Sequence, residues 1–337
     1  MLQFHLDRLW DSAVATGLGL AVSAEGRKSL ERKTTETIAT AVESFSKENG
    51  NVAECRRPEC MVTVLYAATE SPAWNLADDD GDKQRKRREG AALEGRSRGV
   101  LVSVHAWPLP NPMPARGGGG GGSGVEVLVA GSGRSLPRAK HSDWLRERKP
   151  LDELKARVGA QEVVLFDEDR SVAGAPRRLL LEGLTSNFFV VEEDGAVCTS
   201  SSGVLLGGMR QLVISACKHE GIPVRFDRPD IARASRWREA FLTGTGRILT
   251  PVAALLVHEH DQDDNRNGTT AETSKHSSSS SSITTVKSPP VSRLELPGRS
   301  AAAAAPSTGE ALSSPSVAQT LRNHVISELA RTATRLY

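Results

Sequence analysis

The sequence predicts an α/β protein that is built from two domains. Amphipathic helical stretches alternate along the chain with short apolar runs that are typical of buried strands. This alternation is typical of a layered α/β arrangement. The 337 residues, 38% of them hydrophobic, are enough for two cores of ordinary size. We place a small N-terminal α/β domain at residues 1–136 and a larger one at 137–337.

The small domain begins with two predicted helices. In Phe4–Ala13 the apolar residues lie largely on one helical face, and a second helix is predicted over Glu25–Ser46. Extended runs follow at Cys60–Tyr66, Gly99–Trp107 and Val125–Ala130. We expect these runs to form an antiparallel meander that completes the domain.

Two loop insertions interrupt the small domain, near residues 75–95 and 108–124. The first contains an acidic block, Asp78–Asp82, and then a basic block, Lys83–Arg88. Such a block can be a localisation signal or a nucleic-acid patch. We interpret it as a solvated loop, because no aromatic residue interleaves the basic run. The second insertion is rich in proline and glycine and is predicted to be a flexible hairpin expansion.

The most informative stretch runs from Pro137 to Arg210. A helix signal follows Trp144 and leads to an apolar strand at Val163–Phe166. The run Leu180–Val191 comes next, and the Asp194-Gly195 turn after it predicts a hairpin. Gly207 and Gly208 then open a predicted helix.

The rest of the large domain continues the α/β pattern. That helix, Gly208–His219, leads to a strand at Val224–Phe226, and Trp237–Val252 has strand–turn–strand character. A polar tract from about 260 to 315 loses all periodicity, and we predict a disordered insertion there. A closing helix is predicted over Val317–Leu336, where apolar residues form one stripe.

Charge and cysteine usage narrow the class of protein. The net charge is +2, so no global basic field argues for nucleic acid as a partner. No run of 18 apolar residues predicts a membrane span. The four cysteines, Cys55, Cys60, Cys198 and Cys217, lack both metal-site spacing and disulfide density. We therefore expect an intracellular protein, cytoplasmic or organellar, with reduced thiols and no metal site.

Three motifs, in order along the chain, resemble the class IV aminotransferases. A lysine, Lys140, precedes the apolar strand; a Glu-Gly-x-x-x-Asn segment runs from Glu182 to Asn187; and a Leu-x-Gly-x-x-Arg turn runs from Leu205 to Arg210. That family contains the branched-chain and D-amino-acid aminotransferases and aminodeoxychorismate lyase, all pyridoxal-phosphate enzymes. The resemblance implies the two-domain fold of the family, pyridoxal 5′-phosphate as cofactor and a homodimer.

The resemblance also assigns roles to these residues. Lys140 would hold the cofactor as a Schiff base and shuttle a proton, and Glu182 would keep the pyridine nitrogen protonated. Backbone N–H groups at the helix start would bind the phosphate. The residues that would contact the cofactor besides Lys140 and Glu182 are Ser186, Asn187, Gly207, Gly208 and Met209.

Two further matches add phosphate contacts. The N-terminal helix resembles the family's His-x-x-Arg-Leu-x-x-Ser-Ala motif, which puts a phosphate-binding arginine at Arg8. A turn before the Pro-Val strand puts Gly244 and Thr245 at the phosphate from a second side. Family members usually have some tens of residues before the first helix, so the small domain is expected to be truncated.

Each residue also has a plainer interpretation when it is considered alone. Lys140 and Arg8 are then solvated surface cations, Glu182 is a charge at a strand end, and Thr245 lies in an ordinary turn. The preferred function is transfer of an amino group between an amino acid and a 2-oxo acid. Two alternatives stay open: a lyase of the aminodeoxychorismate type, and a catalytically silent member that keeps the fold.

Overall fold

The computed structural model describes residues 2–18, 23–49, 60–69, 99–108, 124–171, 176–258, 291–296 and 315–333. Contacts divide the chain into two compact units, with Met1–Pro112 and Ala139–His141 in unit 1 and the remainder in unit 2. The division thus falls at Pro112, ahead of the predicted boundary at residue 136. The predicted insertions near 75–95 and 108–124 lie almost wholly outside the described residues. Among the described helices, none has the length and apolar character that crossing a membrane requires.

Unit 1 contains two helices and a two-stranded sheet. The helices are α1 (Leu2–Ala15) and α2 (Ala24–Asn49), and the strands are β1 (Cys60–Thr69) and β2 (Gly99–Pro108). The strands pair antiparallel over their full length. Trp10 of α1, Leu30 of α2 and Val102 of β2 form the buried core of the unit. The unit is therefore held by one apolar cluster, to which both helices and the sheet contribute.

The described residues of unit 2 form nine strands and four α-helices. The strands are β3 (Val125–Val129), β4 (Glu162–Asp169), β5 (Arg177–Gly183), β6 (Asn187–Glu192), β7 (Val197–Cys198), β8 (Val224–Arg225), β9 (Trp237–Gly244), β10 (Ile248–His258) and β11 (Val291–Glu295). The helices are α3 (Trp144–Glu147), α4 (Lys149–Val158), α5 (Gly208–His219) and α6 (Val317–Ala333), and a 3₁₀ helix covers Ile231–Arg236.

The strand pairings of unit 2 close into a ring. The path runs β10-β3-β4-β5-β6, and β9 pairs with both β6 and β10. Inside the ring lies an apolar cluster to which alternate residues of the strands contribute, including Val127, Val164, Phe188 and Leu242. Outside it, α5 and α6 cover β6 and β9 through a second cluster that contains Phe189. Because β6 is covered on both faces, all of its residues are buried.

Two sequence predictions are wrong. Val125–Val129 does not join β1 and β2 in a meander, because it pairs parallel with β4 and β10 in unit 2. Its near-continuous apolar character is typical of a strand covered on both faces. The predicted disordered tract also contains β11, which pairs antiparallel with β10. There Leu294 packs against the interior of the ring and Leu296 is buried in it, which stabilises a short strand within the polar tract.

Other elements agree with the prediction. The helix that begins at Gly208 and ends at His219 is α5. The predicted hairpin joins β6 and β7, and Gly195 has φ 86°, in the left-handed region that the turn requires. The closing helix is α6, and the described part of it ends at Ala333.

Candidate active site

Glu182 is a buried carboxylate at the end of β5. Its side chain is 4% exposed, and so is that of Arg134, whose guanidinium lies 3.5 Å from Glu182 Oε1. Glu182 Oε2 accepts a hydrogen bond from the backbone N–H of Leu205 at 2.9 Å. A buried charge persists when it is paired and hydrogen-bonded, as Glu182 is.

Asn187 connects Glu182 to the beginning of α5. Its side-chain N–H group donates to the Leu205 carbonyl at 2.7 Å and, over 3.4 Å, to Glu182 Oε2. Its backbone pairs with Glu182 on one side and with Thr243 on the other. A Cβ atom added at Gly207 would lie 2.3 Å from Asn187 Oδ1, so the absence of a side chain at Gly207 is what admits this amide.

The first turn of α5 presents backbone donors beside this carboxylate. Gly207 is the N-cap residue and has no side chain that could cap the helix, and the first turn contains no acidic residue. The first N–H groups of a helix have no acceptor within the helix, and the positive end of the helix dipole lies there. Gly208, Met209 and Arg210 therefore offer an anion-binding group of the kind that phosphates use.

Two buried polar atoms beside Asn187 and Glu182 have no hydrogen-bond partner among the described residues. They are Oγ1 of Thr243, which lies opposite Asn187 in the sheet, and Nε of Arg210. Burial lowers the pKa of the Arg210 guanidinium, and the charge of Glu182 opposes that shift. Buried polar groups are normally satisfied, so their presence here is consistent with a polar ligand at this position.

A second buried carboxylate supports the loop between β5 and β6. Glu162 Oε2 accepts hydrogen bonds from the hydroxyls of Thr185 at 2.9 Å and Ser186 at 3.2 Å. A Cβ atom on Gly244 would lie 3.3 Å from the Thr185 carbonyl, so the end of β9 adjoins this loop. Thr245 follows in the exposed turn between β9 and β10.

Trp144 stacks on Arg134, the cation that pairs with Glu182. The guanidinium of Arg134 lies 4.8 Å from the centre of the indole ring. The indole N–H donates to the Leu184 carbonyl at 2.8 Å. The only hydrogen-bond donor of the Trp144 side chain is therefore already used. The contact of Trp144 with Arg134 helps to hold the cation that pairs with Glu182.

The two site residues of unit 1, Arg8 and Lys140, are linked through Ser12. The Ser12 hydroxyl donates to the Arg8 carbonyl at 2.7 Å and accepts the backbone N–H of Lys140 at 3.0 Å. Burial, followed by the charge of Arg8 and then that of Lys140, lowers the pKa of His5 to about 4. The neutral imidazole is then able to accept a hydrogen bond from Arg8, whose Nη2 lies 3.1 Å from Nδ1. Two cations thus lie close to an uncharged histidine.

The structure therefore groups the predicted residues by unit. Glu182, Asn187 and the first turn of α5 meet in unit 2, where Ser186 and Gly244 adjoin the same loop. Arg8 and Lys140 are tied together in unit 1. The residues that the sequence analysis missed are Arg134, Glu162 and Thr243, which support or adjoin these groups.

Two arginines near Trp144 do not form an anion site. Arg146 and Arg148 are each paired with an acidic residue of their own helical region. The Arg146 side chain is also 84% exposed. Neither environment resembles a buried anion site.

Comparison with known proteins decides the family. The family model described as amino-transferase class IV matches residues 1–255. The chain belongs to the class IV aminotransferases. These enzymes depend on pyridoxal phosphate, and their fold is the one described above for this chain. No curated protein gives a significant match.

Solved structures of branched-chain aminotransferases share the fold. The enzyme of Thermoproteus uzoniensis, solved with norvaline, has 21% sequence identity and a TM-score of 0.52, over 75% of this chain and 71% of its own. That of Thermobaculum terrenum, solved in its pyridoxal-phosphate form, has 17% identity and a TM-score of 0.51, over 75% and 69%. At these identities the likeness shows the class IV fold alone.

Proposed function

We propose that this class IV aminotransferase moves an amino group between an amino acid and a 2-oxo acid, with pyridoxal phosphate bound covalently through Lys140. The observation that carries the proposal is the carboxylate of Glu182, which is buried, paired with Arg134 and bonded by a backbone N–H group. A carboxylate that remains charged in such a place is suited to holding a proton on a pyridine nitrogen. An ordinary glutamate at a strand end would point into solvent.

The residues of unit 2 fit this cofactor at two points. Glu182 would accept a hydrogen bond from a ring N–H group. The first turn of α5 supplies backbone donors for a phosphate, and Asn187 fixes that turn relative to Glu182. Arg8 and Thr245 would add a guanidinium and a hydroxyl to the phosphate oxygens, and Lys140 supplies the amine.

The chemistry then divides between the cofactor and the chain. When bound, pyridoxal phosphate supplies the conjugated ring that accepts the electrons released at the substrate α-carbon. Lys140 Nζ would take the proton from that carbon and deliver it to C4′ of the cofactor, which requires the neutral amine. Glu182 would hold the ring nitrogen in its protonated form, and Arg134 and Asn187 would keep the carboxylate oriented. Ser186 and Gly244 would help to close the phosphate site.

The first experiment tests Lys140 and Glu182. The full chain is reconstituted with pyridoxal phosphate, reduced with borohydride and mapped by peptide mass spectrometry, which should place the label on Lys140 and lose it in Lys140→Ala. Glu182→Gln should keep the label but slow proton abstraction about a hundredfold or more, equivalent to about 2.7 kcal/mol. The measurement is single-turnover kinetics with an accepted amino donor.

A matched control is Glu192→Gln, which makes the same change at a buried glutamate at the far end of β6. It should leave the single-turnover rate within threefold of the parent. A label on another lysine, or a Glu182→Gln rate that equals the control, would remove these assignments. Turnover of aminodeoxychorismate to pyruvate without amino transfer would favour the lyase, and failure to bind cofactor would favour a silent member.

The phosphate contacts have a separate readout. Arg8→Ala and Thr245→Ala should each weaken cofactor affinity by about 1.5–3 kcal/mol, the range for a hydrogen bond to a charged group. Arg32→Ala, at an exposed position of α2, is the control and should leave affinity unchanged. A cofactor titration in which the Arg8 and Arg32 variants bind equally well would contradict the role of Arg8.

A further inference from the structure

Two histidines and a glutamate converge where α5 ends against α6. His219 is the last residue of α5 and Glu220 follows it, while His324 lies on α6, 104 residues beyond Glu220. Nδ1 of His219 is 3.2 Å from Glu220 Oε1, and Nδ1 of His324 is 2.8 Å from the same oxygen. One ligand atom from each residue lies within 4.8 Å of the others.

We propose that His219, Glu220 and His324 form a binding site for one divalent transition-metal ion, with Zn²⁺ as the ordinary occupant. The proposed amino transfer does not use the residues of this site, so each proposal can be tested and refuted independently of the other. The sequence predicts no metal site, because ligands this far apart along the chain form no recognisable spacing pattern.

The separations of the two histidine nitrogens from the Glu220 oxygen are close to those of a zinc site. Zn–N and Zn–O bonds of about 2.0–2.2 Å place the ligand atoms of a tetrahedral site about 3.3 Å apart. The His219–Glu220 distance of 3.2 Å meets this value, and the His324–Glu220 distance of 2.8 Å is shorter by about half an ångström. The His219 side chain is 71% exposed, so it is free of the packing that would prevent a small rotation.

The packing of α5 on α6 holds the three ligands together before any ion binds. Buried apolar residues of both helices belong to one cluster. They are Val213, Ala216 and Cys217 of α5 and Ala318, Leu321 and Val325 of α6. Cys217 is two residues before His219, and Val325 is next to His324, so the ligands stand at the edge of a rigid contact. Ligands that are preorganised in this way lose little entropy on binding.

The local electrostatics favour a cation. The C-terminal end of a helix carries the negative end of its dipole, and α5 ends at His219. The Glu220 carboxylate lies within hydrogen-bond distance of both imidazoles and supplies a negative charge between them. The carboxylate of Glu328 nearby is paired with Arg331. A metal ion binds deprotonated ligands, so its binding should weaken at low pH.

The ligand set also indicates which ions the site should select. Two imidazoles and one carboxylate suit Zn²⁺, Co²⁺, Ni²⁺ or Cu²⁺, whereas Mg²⁺ and Ca²⁺ prefer sets of oxygen ligands. A cavity of 420 Å³ adjoins the cluster and is lined by Glu220, His324, Asn323, Ser327 and Glu328 among others. It leaves room for water to complete the coordination, as zinc sites with three protein ligands require.

The test titrates Zn²⁺ into the untagged full chain after treatment with a chelator, by calorimetry, with the visible absorption of bound Co²⁺ as a second readout. We expect one ion per chain at this site and no response to Mg²⁺. Replacing a residue that merely supports a zinc ligand costs about 10–100-fold in affinity, so loss of a ligand should cost at least as much. His219→Ala, Glu220→Gln and His324→Ala should therefore each weaken Zn²⁺ binding by about tenfold or more.

Two controls make the result specific. His105→Ala removes an exposed histidine of β2 and should leave the affinity unchanged. The double change His258→Gln and His260→Gln removes another histidine pair and should do the same. If His324→Ala fails to fold by circular dichroism, the exposed His219 variant gives the answer. Absence of Zn²⁺ binding by the parent, or binding that survives the ligand changes or is lost with the 258/260 pair, would overturn the proposal.

Discussion

Gly207→Ala is the change that most directly tests how the candidate site is built. The backbone at Gly207 has φ −72° and ψ 146°, which any residue adopts, so alanine brings no backbone strain. Its Cβ atom would nevertheless lie 2.3 Å from Asn187 Oδ1. Either the overlap is accommodated by strain, or the amide moves and its bond to the Leu205 carbonyl is lost.

The expected loss of stability is set by whichever of these two responses costs less free energy. Overpacking of a closely packed site costs about 1–3 kcal/mol. Moving the Asn187 amide leaves the part-buried Leu205 carbonyl without its 2.7 Å donor, which costs up to about 1–3 kcal/mol. We therefore expect Gly207→Ala to lower the free energy of unfolding by about 1–3 kcal/mol. Because Asn187 also contacts Glu182, the variant should bind pyridoxal phosphate more weakly as well.

Urea denaturation, followed by circular dichroism, measures the first effect. Gly246→Ala is the control, since a Cβ atom there meets no atom within 4 Å. A double-mutant cycle with Asn187→Ala then isolates the contact, because the cost of Gly207→Ala should shrink once the amide is gone. Equal stability of the Gly207 and Gly246 variants, or a cost that persists unchanged without the amide, would refute the reasoning.

Three further predictions concern protonation, thiol reactivity and a helix cap. The pKa of His5 is about 4 in the folded chain and about 6.5 in the unfolded chain, so the stability that His5 contributes is complete above pH 6.5 and falls as the pH drops toward 4. Urea denaturation at pH 7.5 and at pH 5 should show this loss of stability. The loss should be smaller in His5→Gln. Burial raises the pKa of the Cys198 thiol to about 11 and that of the Cys217 thiol to about 12. Iodoacetamide at pH 8 should therefore label both thiols only after unfolding, which mass spectrometry measures. Rapid labelling of the folded chain would contradict this burial. The Glu239 carboxylate accepts hydrogen bonds from the first two N–H groups of α6 at 2.8 and 2.9 Å, so Glu239→Ala should lower the free energy of unfolding by about 1–3 kcal/mol. The control Glu153→Ala, at an exposed position of α4, should not lower it. Equal denaturation midpoints of the two variants would refute the capping role of Glu239.

The sequence predicted elements well where one residue pattern decides the structure. The helix at Gly208–His219 and the hairpin around Gly195 depend on local capping and turn preferences, and the structure contains both. The partners of Val125–Val129 depend on strand order, which an alternation of apolar and polar residues does not specify. The apolar run was the available clue, because strands buried on both faces lose the alternation of a half-exposed meander.

The residues of the candidate site also fall into those that a local sequence pattern indicates and those that it does not. The motifs identified Glu182, Asn187 and Gly207, because each needs a particular side chain, or none, at a fixed offset. Arg134 and Glu162 carry no such local signal, since a charged residue in isolation is usually solvated. Their burial arises from contacts across 48 residues in one case and 23 in the other, which no local pattern contains. β11 was missed for a different reason: five residues with modest alternation are hidden in the composition of the polar tract around them.

The ring of unit 2 explains why motifs that are distant in sequence reach one place. β6 lies between β5 and β9, so Asn187, at its first residue, has Glu182 on one side and Thr243 on the other. α5 returns over the outer face of the same strand, where Phe189 and Phe241 stack with ring centres 5.0 Å apart under its apolar side. The distance between the carboxylate and the helix start is therefore set by one strand and one amide. A substitution in that outer cluster should move the helix start relative to Glu182 even though it contacts neither, because both are positioned from β6.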